Sequence, residues 1–108
     1  MTLLQQRDLA RRERRREVYA ETRRALRTAL ADLIPGHRAI VFGSLTKPGV
    51  FNDRSDVDLA LEDEPPHCGV LRLTAELTER LGRPVDVILL RESRFRDKIL
   101  REGETWTA

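Results

Sequence analysis

Apolar positions change their period several times along the chain, and each change marks an element. From about Thr2 to Leu33 there is no Gly or Pro, and strong helix formers dominate. Tyr19, Thr22, Leu26, Leu30 and Leu33 recur at three- and four-residue spacing, so the second half of this helix carries a core-facing stripe. Its first half is polar nearly all round, with Leu3, Leu4 and Leu9 as exceptions, which predicts an end that projects from the domain or meets a partner. Pro35–Gly36 stops the helix. Arg38 to Phe42 (RAIVF) then reads as a short buried strand, and Asp56 to Glu62 (DVDLALE) as a second. After the break at Pro65–Pro66, residues Val70, Leu73, Leu77 and Leu81 line one helical face. Gly82 stands where a left-handed C-cap belongs, with Pro84 just beyond. Val85 to Leu90 (VDVILL) is a third strand. Ser93 is placed to cap a last helix that carries Phe95, Ile99 and Leu100 and ends at Gly103. The order helix, strand, loop, strand, helix, strand, helix predicts an α+β (mixed α/β) domain, a short three-stranded sheet with helices packed on it.

Composition narrows this picture. A chain of 108 residues with 40% hydrophobic content suits one domain. Residues 1–34 form its Arg-rich helix, packed on the domain in its second half, and 35–108 its core. Without an apolar run of membrane-spanning length or a secretory pattern, and with the single cysteine Cys68, the expectation is a cytoplasmic protein without disulfides. His67–Cys68 has no further ligands nearby and reads as a loop pair, not a zinc site. Lys+Arg 20 against Asp+Glu 18 leaves a net charge of +2, which does not mark a nucleic-acid binder. The arginines nevertheless cluster between Arg11 and Arg24. Glu13, Glu17 and Glu21 dilute that cluster through helical ion pairs, so a solvated face outweighs a nucleic-acid or partner-docking face.

Two acids interrupt the second strand. Asp56 and Asp58 alternate with Val57, Leu59 and Leu61, so the apolar set faces the core and the carboxylates share the other face. Like charges this close repel unless a cation sits between them. Oxygen donors with no His or Cys beside them select Mg²⁺ or Mn²⁺ over zinc. Asp86, alone in the third apolar strand, joins the same face if that strand pairs beside the second. Gly43–Ser44 ends the first strand. Glycine there permits a tight turn, Ser44 can cap a short helix, and the exposed amides suit a phosphate. Lys47 is placed for a phosphate contact as readily as for solvent.

Gly43–Ser44, a loop, Asp56-x-Asp58 and then Asp86 resemble the signature of the nucleotidyltransferase superfamily, the polymerase-β-type fold. The short length and the closing KILREG (Lys98 to Gly103) resemble the minimal nucleotidyltransferases, MNT proteins that act as antitoxins to HEPN-domain toxins. The similarity spans roughly Arg38 to Gly103. The eleven residues from Leu45 to Ser55 make a loop slightly longer than is usual in that family, as a tolerated surface insertion would. The resemblance implies a small nucleotidyltransferase fold that transfers a nucleoside monophosphate, AMP from ATP, to a hydroxyl. Asp56, Asp58 and Asp86 are then the catalytic residues and the ligands of a pair of Mg²⁺ or Mn²⁺ ions, and Gly43, Ser44 and Lys47 hold the nucleotide. The chain is too short for the helical substrate domain of larger relatives. The acceptor must come from self-association, the N-terminal helix or a partner, and for an antitoxin it is a tyrosine of the toxin. Two alternatives remain open: an antitoxin that neutralises its partner by binding and occlusion alone, and a nucleic-acid contact through the Arg-rich helix.

Overall fold

The computed structural model describes residues 1–108, as helix α1 (Leu3–Leu33), strand β1 (Arg38–Phe42), a 3-10 turn (Gly43–Thr46), β2 (Val57–Leu61), α2 (Val70–Leu81), β3 (Val85–Leu89), a second 3-10 turn (Leu90–Glu92), α3 (Arg96–Glu102) and β4 (Glu104–Thr107). Helix α1 begins in a capping box: the Thr2 hydroxyl accepts from the Gln5 N–H, and the Gln5 side chain accepts from the Thr2 N–H. Gly82 ends α2 in the left-handed region at φ 67°, as expected of its position.

The sheet runs β3-β2-β1-β4. β1 is antiparallel to both β2 and β4, and β2 is parallel to β3. It has four strands where the pattern predicts three. The missed strand is the chain's last, ETWT, in which only Trp106 is apolar and buried (5% exposed). Trp106 therefore docks the tail as a strand paired to β1. The last helix begins at Arg96, and Ser93 does not cap it. Instead the Ser93 Oγ accepts from the Phe95 N–H at 3.1 Å, closing a local turn before the helix.

Strand parity divides the core. Val41, Val57, Leu59, Leu61, Val85 and Val87 face α1 and α2, where Val18, Leu26, Leu30, Leu73 and Leu77 cover them. Ile40 and Ala60 face the other way, with Phe42 and Ile88 beside them, and Ile99 of α3 covers that side. Three layers result: two helices, the sheet, one helix. The short link between Leu33 and Arg38 turns the chain back, so the N-terminal half of α1 points toward the end of the sheet where β1 stops. At about 1.5 Å per residue α1 is about 46 Å long, which accounts for an elongated molecule of 54 × 28 × 19 Å. No helix is long and apolar enough to cross a membrane.

Candidate active site

The register of the sheet places the acids. Phe42 stands opposite Asp58 across β1 and β2, and Asp58 stands beside Asp86 across β2 and β3. These three residues make one row on the α3 side, at the edge where β2 and β3 begin. Paired strands lie about 4.8 Å apart, so backbone hydrogen bonding alone holds the two carboxylates side by side. Asp58 is half-buried and Asp86 exposed.

Gly43 follows at the end of β1 with φ 72°, a conformation that disfavours any residue with a Cβ. A Cβ there would also lie 2.5 Å from Asp58 Oδ2. The carboxylate thus rests against the glycine backbone, and both conformation and space demand glycine. The turn after it differs from the expectation for Ser44, because no side chain caps it. Ser44 lies inside the turn, whose N-cap position is held by Phe42, so its hydroxyl is not placed to cap it, and Thr46 Oγ1 instead donates to the Gly43 carbonyl at 2.7 Å.

Gly43, Lys47, Asp58 and Asp86 line one cavity of about 810 Å³, within the range that takes cofactor-sized ligands. Ser44 and Asp56 are not among its lining residues. Asp56 lies just before β2 and is exposed. Its charge still reaches the site: burial, then the Asp86 charge, then the Asp56 charge push the Asp58 carboxyl above the usual carboxylate range. A half-buried carboxylate with two exposed ones beside it, all repelling one another, fits a hard divalent cation. The fit concerns donor chemistry, since no three such side chains are closed into a ready ligand cage.

Sequence reasoning missed the α3 wall. Phe95, Lys98 and Ile99 line the cavity opposite the carboxylates. Lys47 and Lys98 are the two lysines of a chain otherwise rich in arginine, and both face this cavity. That coincidence was available as a signal, but it acquires meaning only once α3 is known to cross the acid-bearing face. Phe95, 56% exposed at the cavity mouth, sits under the Arg94 guanidinium at 5.0 Å.

Comparison with known proteins bears on the family and the fold. The model of a family described as polymerase beta nucleotidyltransferase matches residues 36–106. Among solved structures, the fold is similar to a chain of a toxin–antitoxin crystallised with AMP-PNP, at a TM-score of 0.59 and 24% identity, covering 79% of this chain and 73% of that one. It is also similar to a chain of the toxin–antitoxin MntA–HepT, at a TM-score of 0.56 and 21% identity, covering 82% and 73%. No curated protein matches.

Proposed function

Since this chain belongs to the polymerase beta nucleotidyltransferase family, we propose that it transfers a nucleoside monophosphate, AMP from ATP, to a tyrosine hydroxyl of a partner toxin and thereby acts as an antitoxin. The observation that carries the transferase reading is the pairing of Asp58 with Asp86 in one sheet row, beside the positive-φ turn at Gly43 and within one cavity. The nucleotide and the partner are favoured by likeness to toxin–antitoxin structures, one of them with AMP-PNP.

In this reading the acceptor oxygen forms a bond to the α-phosphorus of ATP, the bond from that phosphorus to the β-phosphate oxygen breaks, and pyrophosphate leaves. Asp58 and Asp86, with Asp56 at the rim, would hold the divalent cations. Those ions, when bound, offset the charge of the triphosphate and favour the ionised acceptor. Gly43 lets the backbone approach the phosphates closely, and the turn after it positions them. Lys47 and Lys98 neutralise the outer phosphates as point charges, which suits a leaving pyrophosphate. Asp86, exposed at the cavity edge, accepts the proton of the incoming hydroxyl. The apolar side chains of Phe42, Ile88, Phe95 and Ile99 leave room for the nucleoside.

ATP labelled on its α-phosphorus, incubated with Mg²⁺ and a lysate of the source cells, tests the assignment. Wild type labels a discrete protein band and Asp58→Asn does not, with a loss of about 1000-fold or more, the worth of several kcal/mol of charge stabilisation. If no nucleoside triphosphate labels any band, neutralisation by binding and occlusion replaces transfer.

A further inference from the structure

The family match covers residues 36–106, and helix α1, which precedes it, grips the turn that follows β1. We propose that Arg23 of α1 is a positioning residue for the reaction, holding the Gly43–Thr46 turn in place through the carbonyl of Leu45. Its Nη1 donates to the Leu45 oxygen at 2.9 Å. The same guanidinium grips both Glu104 oxygens, at 3.3 and 2.6 Å, and so ties the turn to β4. Its guanidinium carbon also lies over the Tyr19 and Trp106 rings, 5.1 and 5.0 Å from their centroids.

Three features make this a brace for the site rather than one more surface ion pair. First, the turn is a single 3-10 turn, which has little stability by itself. Three of its four carbonyls are taken: Gly43 by Thr46 Oγ1, Ser44 by the Lys47 N–H, and Leu45 by Arg23. The Leu45 side chain is fully buried, so its peptide is pinned from both ends. Second, Arg23 is outside the cavity lining and its charge is matched by Glu104. It acts through Leu45 and not on the phosphates. Third, the same device recurs along the connection from the turn to the acids. Arg15 donates to the Gly49 carbonyl at 3.3 Å, and Arg83 to the Asn52 and Ser55 carbonyls at 3.0 and 2.9 Å while lying over the buried Phe51 ring. The stretch that reads as a surface insertion is held by arginines from α1 and from the link between α2 and β3. The contribution of α1 is thus a pair of guanidinium N–H groups, from Arg15 and Arg23, donated to carbonyls of the turn and the loop after it.

This inference rests on the nucleotidyltransferase reading of the turn, and its test separates the two. Arg23→Met, Arg23→Lys and Glu104→Gln are compared with wild type by amide hydrogen exchange at Leu45 to Lys47, by ATP titration with Mg²⁺, and by the KM and kcat of transfer. Arg23→Met speeds exchange of the turn amides about tenfold, one charged hydrogen bond's worth, while β3 amides stay at wild-type rates. It raises KM for ATP by a similar factor and leaves kcat within about threefold, because the carboxylates are untouched. Glu104→Gln keeps the Leu45 contact and keeps turn exchange near wild type, even where it lowers the melting temperature. Wild-type exchange and ATP affinity in Arg23→Met overturn the proposal. So does equal loss in Arg23→Met and Glu104→Gln that follows global stability. Should Arg23→Met not fold, Arg23→Lys decides by the same readings, since it keeps the charge and loses the fork. If wild type binds no nucleotide, the transferase reading falls, and the exchange rates still decide the brace.

Discussion

At the scale of single residues, Asp58 concentrates the cost of the site. Burial and two neighbouring acids raise its pKa above the ordinary 3.8, so the folded state holds this proton more tightly than the unfolded chain does. Below that ordinary value both states are protonated and nothing is lost. As pH rises through the raised folded value, the folded protein alone must ionise a crowded carboxylate, and stability falls. In metal-free buffer at pH 7, Asp58→Asn therefore melts above wild type, and the gap closes as pH drops toward 4. On the proposed function, Mg²⁺ reverses the order by raising the wild-type melting temperature and leaving the variant unmoved. Thermal unfolding at several pH values, with and without Mg²⁺, checks both signs. Glu104 behaves oppositely. The Arg23 hydrogen bond holds its carboxyl below the usual range, so its contribution is present at neutral pH and is lost in acid.

At the scale of elements, the join between α3 and β4 leaves no room for a side chain. Gly103 ends the helix in extended backbone at φ −80°, so conformation does not require glycine. Space does. A Cβ would lie 2.5 Å from Ile40 Cγ2 and 2.6 Å from the Ile99 carbonyl oxygen. Gly103→Ala should destabilise the protein by about 2 kcal/mol through overpacking, read as a shift of the urea midpoint with an unchanged slope. The α3 residues lining the cavity depend on this join, so on the proposed function the same variant weakens nucleotide binding. The residues that carry the family resemblance at this end of the chain, KILREG, thus have a packing reason as well as a chemical one.

At the scale of the whole molecule, α1 serves two ends. Val18, Thr22, Leu26, Ala29 and Leu30 bury one face against the sheet and α2. Every residue from Met1 to Arg14 is exposed, and the first bond from this end to the rest of the domain is that of Arg14 to Asp53, at 3.0 Å between exposed side chains. Exposed pairs of this kind contribute about 0 to 1 kcal/mol. Removing residues 1–12 should accordingly leave the melting temperature within about 2 °C of wild type, as differential scanning calorimetry would show. A larger loss would mean that the arm is packed in solution, against a second copy or a partner.

Much of this protein can be read from its sequence, because most of its elements declare themselves locally. The bounds of β1, the α2 stripe with its Gly82 cap, and the inward set Val57, Leu59 and Leu61 follow from periodicity and turn chemistry. The pairing of Asp58 with Asp86 was legible as a condition, since alternation puts each acid on the face opposite its valine and leucine neighbours whatever strand lies beside it. Only the tertiary structure decided that β2 and β3 pair in parallel and in the register that makes the condition true. β4 has too little apolar pattern to announce itself and exists because β1 offers it an edge. Lys98, Arg23 and Arg83 gain their roles from long-range packing, which a local pattern does not encode. A long flexible side chain looks alike in any sequence window, and what it holds depends on which distant carbonyl the fold brings within reach.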